Sequence, residues 1–299
     1  MDAMTLTLAE IAEQHYLPEK RRRRRANTVE GYESALRCHV LPRFGRLAVS
    51  EIAHDEIQEW VDGFDRPGAA EKAYKTLRQV IRWAVRKWAM LVIDPTVGIE
   101  LPRKPAYRFD TLSAKQLIKR LRGMWGHRLE PTCILSSALG LRPGESYALE
   151  WGDIDWRSGK VVVDKTLQQV RGGVRLYPTK TPKGDRELYL PKWALDRLRM
   201  IHRALGRPSG RMIGSLTPAQ VAGRIRRFAK RMRLPEITMQ NLRHTWGTLA
   251  AEAGIPIETI AMHLGHSSID VAYDHYMRRT KTIMQGAQKR WTKYLFSFA

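Results

Sequence analysis

The chain has 299 residues, with 52 Lys and Arg against 30 Asp and Glu, and therefore a net charge of +22. Hydrophobic residues make up 43% of it, which excludes a disordered chain and is enough to bury a core. The length predicts two domains, and the charge favours a polyanionic partner, nucleic acid above all, because each neutralised phosphate releases counterions.

The two cysteines, Cys38 and Cys133, fit neither a zinc spacing nor a disulfide framework. We expect both to be ordinary packing residues of a cytoplasmic protein. The N-terminal sequence MDAMTLTLAE is not of the signal-peptide type, and no run of apolar residues is long enough to predict a membrane span.

Residues 5–104 are predicted to be helical, because apolar side chains recur there at helical spacing. Thr28 and Ser50 are the expected N-caps of the second and third helices. The fourth helix, residues 69–90, has an apolar stripe that we expect to lie in a core, formed by Tyr74, Leu77, Ile81, Val85 and Trp88.

Basic side chains follow the first helix and also lie off the stripe of the fourth. The run after the first helix fits a solvated loop, and this interpretation is compatible with phosphate contacts. The global charge favours DNA contact. The candidate DNA-binding residues are Arg21, Arg22, Arg23, Arg24, Arg25, Lys72, Lys75 and Arg78.

Asp94-Pro95 ends the helical half, and residues 100–108, with two prolines, are predicted to be a linker. The predicted domains are residues 1–104 and 105–299. In the second, Ser113 precedes a helix, Pro131 opens another and Gly140 ends it. Residues 151–191 favour a small three-stranded antiparallel sheet. The expected fold class is mainly α with a small antiparallel β-sheet (α+β).

The string LGLRPGESYALEW places Arg142 in the turn before a helix that Pro143 can open. A guanidinium beside the unbonded N–H groups of a helix start suits a phosphate, and Glu145 one turn later could orient it through a bidentate pair. Taken alone, the pattern also fits a surface Arg–Glu pair.

The string TKTPKGDRELYLP reads as a hairpin tip that carries Lys180 and Lys183. A lysine there can reach into a groove and deliver a proton, although two solvated turn lysines are the commoner case for any hairpin. In MQNLRHTWGTLA, Arg243 and His244 stand near the start of an apolar helix.

The string MHLGHSSIDVAYDHY is rich in His and Tyr, but it lacks the i, i+4 His pair with Glu of a helical metal site, so we expect no metal. Its candidate residues are His263, His266, Tyr273, His275 and Tyr276. Residues 249–265 also mimic a helix-turn-helix, with Gly254 in the turn.

Together and in this order, over about residues 106–290, the four strings resemble the tyrosine recombinases of the phage integrase family. LGLRPGE is similar to the first Arg box, NLRHT to the second, and LGHSS with a later Tyr to the third. TKTPKG resembles the β-hairpin lysine of that family. The helical N-terminal half resembles the core-binding domain of the family.

The resemblance implies a role for each matching residue. Arg142 and Arg243 would clamp the scissile phosphate, Lys180 would protonate the leaving 5′ oxygen, and Tyr276 would attack phosphorus. His266 would donate a hydrogen bond to the phosphate. Supporting roles would fall to Glu145, His244 and Gln240, which stands where the family usually has His. Tyr273 lies three residues before Tyr276 and is the alternative nucleophile.

The resemblance further implies no metal and no cofactor, duplex DNA as the partner, a homotetramer for strand exchange, and a minimal integrase without an arm-binding domain. Accessory DNA-bending or directionality proteins would be further partners. A DNA-binding protein with a decayed site and a topoisomerase that nicks and reseals are the alternatives. The tail WTKYLFSFA fits docking onto a neighbouring protomer and packing on its own domain equally well.

Overall fold

The computed structural model describes residues 6–88, 94–105, 110–179 and 185–266. Internal contacts divide the chain into two compact units, Met1–Tyr107 and Arg108–Ala299. Each unit has its own buried apolar core. Among the described residues, no helix combines the length and apolar composition that crossing a membrane requires.

The first unit is built from helices, some of them continuous through short π-helical segments. Thr7 caps the first helix by accepting the N–H of Glu10, whose carboxylate accepts the N–H of Thr7 in return. The segments are α1 (Leu8–Glu10), a π-helix (Ile11–Tyr16), α2 (Leu17–Arg23), α3 (Ala26–Ala35), a π-helix (Leu36–Val40), α4 (Leu41–Phe44), a 3₁₀ turn (Val49–Glu51), α5 (His54–Asp62) and α6 (Pro67–Trp88).

The predicted helices of this unit are confirmed, but the two predicted caps are wrong. Helix α3 begins at Ala26, so Thr28 lies inside its first turn. Ser50 lies in the 3₁₀ turn, and α5 begins later, at His54. At the start of α5, the carboxylate of Glu56 accepts the N–H of the N-cap residue, Ala53. An acidic side chain in the first turn therefore takes the capping role that we expected of a hydroxyl.

The apolar stripe of α6 lies in the core, as predicted. Leu77 and Ile81 are fully buried and Tyr74 nearly so. The Tyr74 hydroxyl donates to the carbonyl oxygen of Thr96 at 2.6 Å, which satisfies its polar end. Helix α6 therefore serves the core with one face and leaves its basic residues on another.

The second unit combines helices with four short strands. Ser113 caps α7, and α8 ends at Gly140 in the left-handed conformation, both as predicted. The elements are α7 (Ala114–Gly123), α8 (Glu130–Leu139), α9 (Pro143–Ala148), a 3₁₀ turn (Trp151–Asp153), β1 (Lys160–Val163), β2 (Lys165–Val170), β3 (Gly173–Pro178), β4 (Arg186–Tyr189), α10 (Lys192–Ala204), α11 (Pro218–Arg231), α12 (Met239–Glu252) and α13 (Ile257–Leu264).

The strands form two antiparallel ladders, and the prediction of one three-stranded sheet is wrong in this respect. Strand β1 pairs with β4, and β2 pairs with β3 across a tight turn at Gly172. Among the described residues, β3 and β4 do not pair with each other, and the predicted hairpin tip around Lys180 and Lys183 lies outside the described residues. The fold class, mainly α with small antiparallel β-structure, is confirmed.

Both cysteines have free thiols, but only one packs as expected. Cys133 is buried in the core of the second unit, where burial raises the pKa of its thiol to about 11. Cys38 is exposed on the π-helical segment after α3, so the expectation that it packs in a core is wrong.

Candidate active site

Arg142 stands where two helices of the second unit meet. Helix α8 ends at Gly140 with φ +61°, and a Cβ there would come within 2.7 Å of Leu264 Cδ2. Glycine is therefore required both by the backbone conformation and by the contact. Arg142 then occupies the N-cap of α9, and Pro143 the first turn, as the sequence predicts.

Glu145 holds this helix start together. One carboxylate oxygen accepts the backbone N–H of Arg142 at 2.9 Å, and the other accepts its Nη1 at 2.8 Å. The side chain of Glu145 is 3% exposed and that of Arg142 is 40% exposed. Glu145 orients Arg142 as predicted, but through one guanidinium nitrogen and the main chain rather than through a bidentate pair.

The bidentate partner of Glu145 is Arg186, which the sequence motifs did not predict. Its Nη1 and Nη2 donate to the two carboxylate oxygens at 3.2 and 2.9 Å, and its Nε donates to the carbonyl oxygen of His263 at 2.8 Å. Period-two alternation places Arg186 on the same face of β4 as buried Leu188. An arginine that alternates with a core leucine was the signal that could have found it.

The charges around Glu145 decide its titration. Burial alone would raise the pKa of Glu145, but the hydrogen bonds and charge of Arg186, followed by those of Arg142, outweigh it and hold the pKa below its usual value. The carboxylate is therefore ionised at neutral pH and binds both arginines as an anion.

Arg243 lies in the first half of α12 and is only 2% exposed. Its Nη1 donates to the carbonyl oxygen of Gly140 at 3.0 Å, and its Nη2 donates to that of Leu264 at 2.7 Å. Arg142 Nη2 donates to the carbonyl oxygen of the next residue, Gly265, at 2.7 Å. The structure thus brings together two arginines that are far apart in sequence.

The C-terminus of α13 is the common anchor of these side chains. Three successive carbonyl oxygens, those of His263, Leu264 and Gly265, accept from Arg186, Arg243 and Arg142 respectively. The last carbonyls of a helix have no partner within it and lie at the negative end of its dipole, which favours cations. Three guanidinium groups are thereby held at one helix terminus.

His266 follows this row directly. Gly265 takes the left-handed conformation with φ +65°, and the backbone N–H of His266 donates to the carbonyl oxygen of Ala261 at 3.0 Å, which closes the helix end. Among the predicted site residues, His266, Arg142, Glu145 and Arg243 therefore surround one helix terminus.

Gln240 and His244 lie one turn apart on α12, next to Arg243. The amide nitrogen of Gln240 is 3.1 Å from Nε2 of His244, which is 6% exposed. For the amide to donate, Nε2 must be the unprotonated ring nitrogen. Gln240 can therefore fix the tautomer of His244, although its amide, unlike an imidazole, cannot act as an acid or base.

His263 packs between two helices of the site. Its Nε2 contacts the carbonyl oxygen of Leu139 at 3.0 Å, and its ring stacks on Trp246 with centroids 4.0 Å apart. Burial lowers the pKa of His263 to about 4, and the nearby charges of Arg186 and Arg243 act in the same direction. His263 is therefore a neutral packing residue at neutral pH.

Two predicted catalytic residues, Lys180 and Tyr276, lie outside the described residues, as do Lys183, Tyr273, His275 and the tail 291–299. The residues that flank segment 180–184 are described. Thr179 donates its hydroxyl to the carboxylate of Asp185, and its N–H donates to the carbonyl oxygen of Asp164 at 3.0 Å. Thr179 and Asp185, the residues on either side of this segment, are therefore hydrogen-bonded to each other.

The candidate DNA-binding residues of the first unit lie at helix ends and on α6. Arg21 to Arg23 form the last turn of α2, so this part of the run is helical and the alternative of a solvated loop does not apply to it. Arg21 pairs with Glu33 at 2.6 Å and Arg23 with Glu19 at 3.2 Å. On α6, Lys72 and Lys75 are exposed and Arg78 is half-buried, and Lys75 pairs with Glu71 at 2.5 Å.

The two helices and the turn that the sequence pattern predicts are present. Helix α12 and helix α13 are joined by a turn in which Gly254 has φ +83°. Both helices belong to the arginine cluster, however. Helix α12 contributes Arg243, and the end of α13 contributes carbonyl oxygens that accept hydrogen bonds from the arginines. The motif is therefore part of the candidate site.

Comparison with known proteins identifies the family. Residues 114–282 match the model of the phage integrase family, and residues 7–64 match that of the phage integrase N-terminal SAM-like domain. A curated relative, a tyrosine recombinase XerC-like protein from Caldanaerobacter subterraneus subsp. tengcongensis, is 24% identical over 94% of this chain and 82% of its own length.

Solved structures share the fold. The Tn1549 transposon integrase in complex with transposon right end DNA has a TM-score of 0.80 at 17% identity, over 96% of this chain and 100% of the other. The lambda integrase tetramer bound to a Holliday junction has a TM-score of 0.68 at 17% identity, over 92% of this chain and 79% of the other. With a family model matched over more than half of its length, the chain belongs to the phage integrase family of tyrosine recombinases, enzymes of site-specific DNA recombination.

Proposed function

We propose that the chain cleaves and rejoins duplex DNA through a 3′-phosphotyrosyl bond at Tyr276, in the integration or excision of a phage or another mobile element. The observation that carries the proposal is the placement of Arg142 and Arg243 on adjacent carbonyl oxygens, those of Gly265 and Leu264. Two guanidinium groups held at one helix terminus are suited to the non-bridging oxygens of one phosphate.

In the cleavage step, the phenol oxygen of Tyr276 attacks phosphorus and the bond to the 5′ oxygen breaks. Lys180 protonates the 5′ oxygen as it leaves, and the phenol proton passes to solvent or to a neighbouring base. Arg142 and Arg243 stabilise the charge that grows on the non-bridging oxygens, and His266 donates a further hydrogen bond to them. Attack by the 5′ hydroxyl of a partner strand reverses these steps and releases Tyr276.

The bond count explains why no external energy source is required. One phosphodiester is exchanged for one phosphotyrosyl ester, and the reverse step exchanges it back. An unperturbed tyrosine has a pKa near 10 and is neutral at pH 7, so the arginines must supply much of the activation. Their positive charge lowers the cost of the anionic transition state.

The two units are assigned separate tasks. The second unit carries the cleavage site, and the first binds the DNA core site with the basic residues at the end of α2 and on α6. Strand exchange requires four cleavages, so a homotetramer on two DNA sites is the working assembly, as in the lambda integrase tetramer on a Holliday junction. Accessory DNA-bending or directionality proteins complete the proposal.

A nicked suicide duplex carrying a candidate attachment site tests the chemistry. The wild-type chain should form an adduct with DNA that survives denaturation, and Tyr276→Phe should abolish it. Tyr273→Phe is the matched control and should still form the adduct. An adduct that persists in Tyr276→Phe and disappears in Tyr273→Phe would reassign the nucleophile.

Two further outcomes separate the alternatives. No adduct from the wild-type chain on any cognate site would favour a DNA-binding protein without catalysis. Adducts and relaxed supercoils without strand exchange between two defined sites would favour a topoisomerase. Recombinant product from two sites is the expected result.

A further inference from the structure

Glu145 is a buried carboxylate that two arginines share. Arg186 donates to both of its oxygens, at 3.2 and 2.9 Å, whereas Arg142 donates one guanidinium bond at 2.8 Å. The side chains of Glu145 and Arg186 are 3% and 8% exposed, whereas that of Arg142 is 40% exposed. The more buried arginine, Arg186, thus makes the bidentate pair, whereas the more accessible Arg142 is oriented through a single guanidinium nitrogen.

The net charge of Arg142, Glu145 and Arg186 depends on this arrangement. A lone Arg142–Glu145 pair would be neutral when seen from a phosphate a few ångströms away, because the carboxylate would cancel the cation. With Arg186 present, two guanidinium groups face one carboxylate and a positive charge remains. The carboxylate can then orient Arg142 without removing its attraction for the phosphate.

A second contact ties Arg186 to the geometry of the site. Its Nε donates to the carbonyl oxygen of His263 at 2.8 Å, the first of the three carbonyls that also hold Arg243 and Arg142. Arg186 therefore joins β4 and the start of α9 to the end of α13. This contact fixes the position of the Arg186 guanidinium beside Glu145.

We infer that Arg186 is a positioning residue of strand cleavage: it neutralises Glu145 so that Arg142 presents an uncompensated positive charge to the scissile phosphate. The inference rests on the proposed function. Arg186 itself does not touch the DNA in this role, and it acts through the charge of Glu145.

The test uses the full chain and the nicked suicide duplex under single-turnover conditions. Arg186→Gln, which retains hydrogen-bond donors but no charge, should slow adduct formation about tenfold or more. The dissociation constant for the DNA should change by less than about threefold, because most phosphate contacts remain. Arg186→Lys should recover part of the rate, since it restores the charge without the forked geometry.

Removing the carboxylate supplies a readout that a purely structural role would not move. In the Glu145→Gln background no anion remains to be neutralised, so adding Arg186→Gln should cost less than about threefold in rate. A tenfold loss in that background, or a wild-type rate in Arg186→Gln alone, would overturn the inference. If Arg186→Gln is unfolded at the assay temperature, the double variant compared with Glu145→Gln still decides.

The chain offers a matched control in Arg197. It makes the same kind of pair with buried Glu130, with Nε at 2.6 Å and Nη2 at 3.1 Å from the two carboxylate oxygens. Arg197→Gln should lower the thermal midpoint and leave the cleavage rate of folded protein unchanged. A wild-type chain that forms no adduct refutes the proposed function, whereas an active wild type with an equally active Arg186→Gln refutes only this inference.

Discussion

Arg142 and Arg243 donate to the carbonyl oxygens of neighbouring residues, Gly265 and Leu264, each at 2.7 Å. The side chains come from the start of α9 and from α12, and both reach the end of α13. A helix C-terminus attracts cations through its unpaired carbonyls. The same terminus that orders the two arginines places His266 beside them.

Replacing either arginine by lysine should reduce DNA cleavage by about a hundredfold or more, because lysine lacks the forked donor geometry that a phosphate oxygen pair requires. Arg243→Lys should also lower the free energy of unfolding by about 1–3 kcal/mol, since it leaves buried carbonyl acceptors without a donor. Rates of adduct formation and urea unfolding measure the two effects. Arg203→Lys, at an exposed site on α10, is the control and should change neither.

Gly140→Ala should be more damaging than Gly126→Ala, although both glycines have positive φ, +61° and +73°. In both variants, backbone strain should lower the free energy of unfolding by about 1 kcal/mol. At Gly140 the new Cβ would also come within 2.7 Å of Leu264 Cδ2, whereas at Gly126 nothing lies within 4 Å. The total loss for Gly140→Ala should reach about 2–4 kcal/mol.

Cleavage provides a second comparison for these glycine variants. The carbonyl oxygens of Gly140 and Leu264 both hold Arg243, so Gly140→Ala should also slow adduct formation. Gly126→Ala should cleave at the wild-type rate. Equal stability and equal rates for the two variants would refute the role assigned to this contact.

His263 should make stability depend on pH. Its pKa is lowered to about 4 in the folded chain, mainly by burial, from an ordinary value of 6.5. The folded state therefore resists protonation of His263. The contribution of the neutral ring to the free energy of unfolding is fully present above pH 6.5 and is lost as the pH falls towards 4. The loss below pH 4 should be up to about 3 kcal/mol.

Urea unfolding at pH 7, 5 and 4 measures this effect. The wild-type chain should lose more stability over that interval than His263→Gln, which cannot be protonated. His263→Gln should be the less stable protein at pH 7, because it lacks the stacking on Trp246. Parallel pH dependences of the two proteins would show that His263 is not the responsible group.

The basic run at the end of α2 should contribute unequally to DNA binding. Arg21 and Arg23 are already paired with Glu33 and Glu19, whereas the exposed side chains of Arg22 and Arg24 are better placed to release counterions. Arg22→Gln with Arg24→Gln should weaken binding and reduce the salt slope by about one unit for each phosphate that is no longer neutralised. Arg21→Gln, the matched control, should change the slope less.

Binding isotherms at several salt concentrations, with cognate and unrelated duplexes, measure these slopes. The double variant should lose affinity for both duplexes to a similar extent, because phosphate contacts carry no sequence information. A slope that falls only in Arg21→Gln would show that the run meets DNA through a different face.

The sequence predicted those parts of the site that depend on local chemistry. Gly140, Pro143 and Ser113 indicate helix ends through preferences that act within a few residues, and the structure has those ends where expected. The predictions that Thr28 and Ser50 cap helices fail because other groups can do the same task. A hydroxyl is one of several groups that can satisfy the first N–H groups of a helix, and Glu56 performs this task at α5.

The strand pairing and Arg186 were missed because both depend on contacts between distant segments. Strand β4 pairs with β1 across the β2–β3 hairpin, which no turn residue near Lys180 reveals. The pairing of Arg186 with Glu145 joins residues 41 positions apart, and no local preference encodes it. The order of the four motifs identified the family, whereas the charge balance among Arg142, Glu145 and Arg186 emerges only when distant segments are brought together.

The acceptors that gather the three arginines belong to the main chain, so no single side-chain replacement at positions 263 and 264 can delete them. What the arrangement does depend on is the length of α13. One inserted or deleted residue would rotate the carbonyls by about 100° around the helix axis and separate them from their arginines. The exposed face of this helix, where Met262 is 78% exposed, should accept many amino acids, while a change of a single codon in length would dismantle the cluster.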